Sequence, residues 1–209
     1  MFRFNLRQFP TTLPLFWTLF SKPFDSPVWL CHNQPMMSVQ PTIKKFLIQL
    51  ATLFGVGKLP KGPGTWGTLV TLPVAWLLMQ MGPLLYMVIV VLLLPVAILS
   101  AELYEQFSGN HDSKEIVIDE VIGFLITMTW LPMGWQSFVF GFLLFRLLDI
   151  WKPYPISYLD KKIQGGLGVV IDDVAAGIVA NVILQLVYTK TMWLGSQVIT
   201  SLAPVTAGG

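Results

Sequence analysis

The sequence has few charged residues: only 11% of its 209 residues are Asp, Glu, Lys or Arg, whereas 54% are hydrophobic. An ordinary soluble domain is about a quarter charged, so this chain has too little polar surface for a water-soluble protein. The net charge is only +2 and no Lys/Arg-rich stripe is present, which argues against a nucleic-acid partner. We therefore predict an integral membrane protein.

Cysteine and histidine are also scarce, and this excludes several kinds of catalytic site. Cys31 is the only cysteine, so no intrachain disulfide can form, and Met37 stands where a thiol-based phosphatase would need an arginine. The only histidines are His32 and His111, too few for a histidine-based lipid phosphatase. The patterns Asp-x-Asp-x-Thr and Asp-Gly-x-x-Ala-Arg are absent as well. Any phosphoryl chemistry here would have to use a metal held by carboxylates.

Long uncharged runs separate short clusters of charge. Residues 62–101, 121–145 and 174–189 contain no Asp, Glu, Lys, Arg or His. A membrane-spanning helix needs about 20 mostly apolar residues, and glycine and proline turns near 80–83 and 131–135 divide the first two runs. This pattern predicts an all-α fold with about four to five transmembrane helices. The candidate spans are 66–80, 84–101, 118–131, 135–151 and 173–191.

The lysines lie on one side of this predicted topology. The two turns on the opposite side hold no basic residue. The loops on the basic side hold Lys44, Lys45, Lys58, Lys61, Lys114, Lys152, Lys161 and Lys162. Because cytoplasmic loops carry an excess of Lys and Arg, we expect these loops to face the cytoplasm.

We expect a single membrane-embedded domain at 41–195, between two terminal segments. Residues 1–40 mix Arg, Pro and aromatic residues without a long apolar core, so they are predicted to be a poorly ordered extension and not a secretory signal. Residues 196–209 are predicted to be a C-terminal tail. From Pro41 onwards, apolar residues recur at helical spacing, which predicts an amphipathic helix on the cytoplasmic membrane surface. These residues are Ile43, Phe46, Leu47, Leu50 and Phe54.

Five carboxylates lie at the predicted helix ends on the basic side. They are Asp119, Glu120, Asp149, Asp172 and Asp173. One interpretation is that they are ordinary interfacial residues, favoured where a helix begins. However, acids near hydrocarbon are costly, at about +2.5 to +3.5 kcal/mol for a central Asp, and adjacent acids repel each other. A shared cation removes this repulsion, and oxygen ligands in this number suit Mg²⁺.

Two basic residues accompany these acids. Arg146 lies one helical turn before Asp149, on its membrane side. It either forms a simple ion pair within the helix or binds phosphate oxygens through its planar guanidinium. Lys152 offers a second positive contact, in a loop that two prolines hold extended.

A glycine-rich loop precedes the first candidate span. Gly62 is followed by Pro63, so the loop lacks the Gly-Lys-Ser/Thr that a Walker nucleotide-binding motif needs. The loop is either a simple turn or a place where backbone N–H groups approach a phosphate. In the second case Gly64 and Thr65 are the candidate contacts.

Four motifs occur in order along the chain. They are Pro-Gly-Thr-Trp-Gly at 63–67, Ile-Val-Ile-Asp-Glu-Val-Ile-Gly at 116–123, Phe-Arg-Leu-Leu-Asp-Ile-Trp-Lys-Pro-Tyr-Pro at 145–155, and Gly-Gly-Leu-Gly-Val-Val-Ile-Asp-Asp-Val-Ala-Ala-Gly at 165–177. With these motifs, residues 41–190 resemble the phosphatidylglycerophosphatase A family, and residues 1–40 fall outside the resemblance. It implies a multi-pass, Mg²⁺-dependent phosphatase of the bacterial inner membrane, with its site facing the cytoplasm. Its expected reaction converts phosphatidylglycerol phosphate to phosphatidylglycerol and inorganic phosphate in phospholipid biosynthesis.

Our mechanistic hypothesis gives the polar residues the following roles. The five acids would hold one or two Mg²⁺ ions, which lower the pKa of a bound water. Arg146 and Lys152, with Gly64 and Thr65, would bind the substrate phosphate, and Glu120 or Asp173 would act as the base. The expected catalytic residues are Asp119, Glu120, Arg146, Asp149, Asp172 and Asp173.

Two points stay open at this stage. Attack by water and a covalent aspartyl intermediate are both compatible with the residues. The same acids would also suit a small membrane transporter or cation-binding protein, although transport sites usually lie near the bilayer midplane. The expected partners are a phospholipid substrate and the membrane, and the sequence predicts no protein partner.

Overall fold

The computed structural model describes residues 40–109, 113–154, 156, 158, 163 and 165–190. The predicted tail at 196–209, and the predicted extension except Gln40, lie outside these residues. All regular structure in the described part is helical, so the all-α prediction is confirmed. The α-helices are α1 (Pro41–Ala51), α2 (Pro63–Gln80), α3 (Pro83–Ser108), α4 (Ile118–Met128), α5 (Trp135–Trp151) and α6 (Gly166–Lys190). A 3-10 segment, Leu53–Lys58, follows α1.

Each predicted span corresponds to one helix, α2 to α6. Pro63 and Pro83 begin α2 and α3, where the missing N–H of proline costs no helical hydrogen bond. Gly82 turns the chain between these helices with a φ of 93°, a conformation that favours glycine. Only α3 and α6, with 26 and 25 residues, are long and apolar enough in the described part to cross a membrane unaided.

Helix α6 begins earlier than the sequence indicated. Its first residue is Gly166 and not a residue near 173. Asp172 and Asp173 therefore lie at the end of the second helical turn, and both are buried. The prediction that Asp172 opens a helix was wrong, because the glycine-rich residues before it are themselves helical from Gly166 onwards.

Helix α4 is the central element and is short. Its 11 residues extend about 16 Å at 1.5 Å per residue, roughly half of the 30 Å hydrocarbon thickness of a bilayer. Eight of the 11 residues are buried, because α2, α3, α5 and α6 all pack against the helix. Protein therefore surrounds α4, which ends at Met128 and not at 131 as predicted.

Side chains from other helices satisfy the carbonyls at the end of α4. The Asn181 Nδ2 donates hydrogen bonds to the carbonyl oxygens of Thr127 and Thr129, both at 2.8 Å. The Tyr86 hydroxyl donates to the Leu125 carbonyl at 2.6 Å. The last carbonyls of a helix lack intrahelical partners, and leaving them unpaired in an apolar interior is costly. These bonds stabilise the end of α4 inside the helix bundle.

Candidate metal and phosphate site

Two glycines, near the middle of α4 and of α6, bring these helices into close contact. A Cβ atom on Gly177 would overlap the Gly123 carbonyl oxygen, and one on Gly123 would overlap the Asp173 carbonyl oxygen. Small residues let helix backbones approach in this way. Gly123 and Gly177 each lie four residues after an acid, Asp119 and Asp173 respectively. Residues four apart share one helix face, so the glycine contact places these two acids opposite each other.

Asp119, Glu120 and Asp173 form the acidic cluster. One carboxylate oxygen from each lies within 4.8 Å of the other two. Asp173 is buried and the other two are partly buried. Within the described residues, Glu120 Oε2 and Asp173 Oδ2 have no hydrogen-bond partner. Because buried charges are normally paired or bound to a metal, these orphaned oxygens fit a divalent cation with oxygen ligands, such as Mg²⁺.

Asp149 and Asp172, the other two expected metal ligands, each form an ion pair with a basic side chain. Arg146 Nη1 lies 2.5 Å from Asp149 Oδ2 and 3.7 Å from Glu120 Oε1. Lys152 Nζ lies 2.6 Å from Asp172 Oδ2. The intrahelical ion pair of Arg146 is therefore present. The Nε of Arg146 has no hydrogen-bond partner among the described residues. Part of the guanidinium is therefore not used by the ion pair with Asp149.

The structure thus divides the five acids into a cluster of three and two ion-paired residues. Asp149 still lies near enough to Glu120 and Asp173 to repel their negative charges. Asp172 is likewise near enough to repel Asp119. The whole group is strongly negative, which favours cation binding.

Helix directions add to the electrostatics of the site. Helices α2, α4 and α6 all begin on the side of the acidic cluster, and a helix N-terminus carries a partial positive charge that favours anions. Gly64, in the first turn of α2, lies directly against the cluster: a Cβ there would overlap Glu120 Oε1 and lie 3.1 Å from Arg146 Nη1. Thr65 follows in the same turn, and its N–H donates to the Gly62 carbonyl at 3.0 Å.

Lys152 ends α5 in an unusual backbone conformation. It is the C-cap residue and adopts the left-handed region with a φ of 41°. This region disfavours non-glycine residues, and such strain is concentrated at functional sites. Its N–H donates to the Leu148 carbonyl at 2.8 Å, which fixes the end of α5 while the side chain reaches Asp172.

Glu102 fixes the start of α6, and no motif in the sequence predicted this role. Glu102 Oε2 accepts a hydrogen bond of 2.7 Å from the Gly166 N–H. Glu102 Oε1 accepts another, of 2.9 Å, from Gln106 Nε2. Its only signal in the sequence is that it directly follows the uncharged run 62–101. Glu102 connects α3 to the helix that carries Asp172 and Asp173.

Comparison with known proteins adds independent information. The family model for phosphatidylglycerophosphatase A matches residues 49–188. A protein of Escherichia coli (strain K12) with the name phosphatidylglycerophosphatase A is 41% identical over 140 residues, which cover 66% of this chain and 81% of the relative. A Haemophilus influenzae protein of the same name is 36% identical over 157 residues, covering 74% and 95%.

A third relative carries a different name. A Bacteroides thetaiotaomicron protein, provisionally named a phosphatidylinositol-3-phosphatase, is 32% identical over 146 residues, which cover 66% of this chain and 90% of the relative. No solved structure matches the chain. The three names share one reaction type, the removal of phosphate from a lipid.

Proposed function

Because this chain belongs to the phosphatidylglycerophosphatase A family, we propose that it hydrolyses phosphatidylglycerol phosphate to phosphatidylglycerol and inorganic phosphate in an Mg²⁺-dependent reaction. The observation that carries this proposal is the acidic cluster, whose three carboxylate oxygens lie within 4.8 Å of one another, beside the guanidinium of Arg146. A metal site next to a phosphate-binding arginine suits the hydrolysis of a phosphate monoester.

Asp119, Glu120 and Asp173 would hold the metal ion. A bound Mg²⁺ would neutralise charge on the phosphate and lower the pKa of a bound water. Asp149 binds Arg146 through Nη1 and thereby orients the guanidinium, whose other N–H groups donate hydrogen bonds to the phosphate oxygens. The ion pair with Asp172 holds Lys152 near the same site, where its positive charge stabilises the additional negative charge of the transition state.

Gly64 and a carboxylate base complete the proposed machinery. Gly64 brings the N-terminus of α2 against Glu120 and Arg146, so this positive helix end favours the phosphate, and Thr65 extends the same turn. A carboxylate oxygen that does not hold the metal would accept a proton from the attacking water. Glu120 Oε2 and Asp173 Oδ2 both lack a hydrogen-bond partner within the described residues, so if one of these oxygens binds the metal, the other is the candidate base.

The site would lie at the cytoplasmic face of a multi-pass inner-membrane protein. Exposed aromatic residues at both ends support a bundle that spans the membrane, since Trp and Tyr are enriched where membrane meets water, and the lysines in the loops on the side of the site favour the cytoplasmic face. Trp66 and Trp151 lie at the end with the acidic cluster, and Trp76 and Trp135 lie at the other end. On α1, Phe46 is 51% exposed, which supports contact of this helix with the membrane surface.

A substrate panel tests this proposal most directly. Purified protein in detergent would be assayed for phosphate release from phosphatidylglycerol phosphate, phosphatidic acid and phosphatidylinositol 3-phosphate, with Mg²⁺ and with a chelator. We expect release from phosphatidylglycerol phosphate to be fastest and to stop on chelation. Faster release from another lipid would reassign the substrate. Absence of release from every lipid phosphate would favour the alternative, a transporter or cation-binding protein, since detergent provides no gradient.

A further inference from the structure

Arg146 borders an open groove on the outer face of α5. The groove has a volume of about 450 Å³ and is lined by Leu143, Arg146, Leu147, Ile150 and Trp151. These positions follow the spacing i, i+3, i+4, i+7 and i+8, so they form one continuous helix face. Arg146 therefore has the acidic cluster on one side and this apolar groove on the other.

The apolar lining of the groove is widely exposed. Leu143 and Leu147 are 55% and 54% exposed, and Ile150 and Trp151 are 73% and 75% exposed. A contiguous exposed apolar surface marks an interaction site. The groove differs from other apolar faces of the bundle because its single charged residue, Arg146, also contacts Glu120 and Asp149.

We propose that this groove holds an acyl chain of the substrate lipid while the phosphate monoester of the same molecule binds at Arg146. The inference rests on the proposed function and adds the surface through which the lipid is recognised. The guanidinium complements the phosphate charge, and the leucine side chains complement the hydrocarbon. The groove extends about 12 Å along the helix from Trp151 to Leu143, and Arg146 lies between these two residues.

A comparable face on α3 provides the matched control. Val88, Val91 and Leu92 are 45%, 61% and 63% exposed, and they recur at helical spacing along an apolar helix. This face carries no charged residue that contacts the acidic cluster. Bulk lipid would cover both faces equally, whereas a substrate site would distinguish the α5 groove from the α3 face.

The kinetic test fills the groove with a larger side chain. Leu147→Trp and the control Leu92→Trp would be assayed in detergent on long-chain phosphatidylglycerol phosphate and on its water-soluble deacylated head group. We expect Leu147→Trp to lower kcat/KM for the long-chain lipid by about tenfold or more. The kcat/KM of the same variant for the soluble head group should change by less than about twofold. Equal losses on both substrates, no loss on either, or an equal effect of Leu92→Trp would overturn the proposal.

A photocrosslinking measurement tests the groove without relying on turnover. Full-length protein with benzoylphenylalanine at position 147 or 92 would be irradiated with radiolabelled phosphatidylglycerol phosphate in the presence of a chelator. We expect the radiolabelled lipid to crosslink at position 147. Excess unlabelled phosphatidylglycerol phosphate should remove this labelling, whereas excess phosphatidylcholine should not. Position 92 should show no such selectivity. Crosslinks between two protein chains at 147, or labelling that both lipids remove equally, would contradict the proposal.

The two proposals fail in different ways. If wild-type protein releases no phosphate from any lipid, the proposed phosphatase activity is wrong. If wild-type protein is active but position 147 behaves like position 92 in both measurements, only the acyl-chain groove is wrong.

Discussion

Gly64 lies against Glu120 so closely that a Cβ on the glycine would overlap the carboxylate oxygen Oε1. This contact connects the first turn of α2 to the acidic cluster on α4. Residues 63–67, which the sequence predicted to lie in a loop and a following span, instead form the start of α2. Its glycine sets how closely the positive end of α2 can approach the acids and Arg146.

The first prediction concerns Gly64→Ala. The added methyl group would displace the Glu120 carboxylate and crowd Arg146, so phosphate release should fall by about tenfold to a hundredfold, as is typical when groups that support a metal site are disturbed. Alanine is a better helix former than glycine, so the melting temperature should change little. Unchanged kcat/KM in the substituted protein would contradict the close contact.

The second prediction separates the five acids by their role. Asp119→Asn, Glu120→Gln and Asp173→Asn should each weaken binding of the metal, because each removes a charged ligand from the acidic cluster. Asp149→Asn removes the charge that orients Arg146 and should mainly raise KM for the lipid, whereas Asp172→Asn removes the charge that holds Lys152 and should mainly lower kcat. The measurements are the Mg²⁺ concentration for half-maximal activity and Mn²⁺ binding followed by electron paramagnetic resonance.

Glu105→Gln provides the control for these variants, since Glu105 lies on α3 outside the acidic cluster. It should keep both the metal affinity and KM of the wild type. Equal loss of metal binding in all five site variants would indicate that all five carboxylates bind the metal. It would contradict a metal site made of the acidic cluster alone.

The third prediction concerns the glycine contact between α4 and α6. In Gly177→Ala the new Cβ would meet the backbone carbonyl of Gly123, so α6 must move away from α4 and carry Asp173 with it. We expect Mg²⁺ affinity to fall by about tenfold or more, with a lower melting temperature. Both quantities can be measured on the same detergent-purified sample.

Gly141→Ala is the matched control for that substitution. A Cβ at Gly141 would lie 2.8 Å from Met128 Sδ, the flexible part of a side chain. Methionine readily adopts another rotamer, so this variant should retain nearly normal metal affinity. A larger effect of Gly141→Ala than of Gly177→Ala would show that the backbone contact is not decisive.

The fourth prediction concerns Glu102, which accepts a hydrogen bond from the first N–H of α6. Removing a cap of this kind costs about 1 kcal/mol, so Glu102→Ala should lower the melting temperature and also raise KM, because α6 positions Asp172 and Asp173. Glu102→Gln can still accept the bond and should restore both values. Loss of stability with KM unchanged would limit Glu102 to a structural role.

The sequence predicted the helices and the convergence of the four motifs well. Uncharged runs and glycine-proline turns are local signals, and they located five helices that the structure contains. Alternating helix direction then brings every second loop to the same end of the bundle. This explains why Gly64, Glu120, Arg146 and Asp173 meet although they are far apart in the chain.

Features that depend on contacts between helices were not predictable in the same way. The turn that contains Pro132 predicted that α4 ends at 131, but the helix ends at Met128, where hydrogen bonds from Asn181 and Tyr86 satisfy its last carbonyls. Likewise, Asp172 and Asp173 are adjacent in sequence but point to different neighbours. Neighbouring helical residues differ by about 100° in direction, and only packing decides which of them faces the cluster.

The hydrogen bonds of Asn181 bear on how the enzyme would behave in the fluid bilayer that we propose surrounds it. Asn181 attaches α6 to the far end of α4, while the contact between Gly123 and Gly177 joins the same helices near the acids. Two attachment points prevent one helix from pivoting on the other. When lipids around the bundle thin, thicken or curve, we expect α4 and α6 to tilt together, so that the spacing of Asp119 and Asp173 is insulated from changes in the membrane.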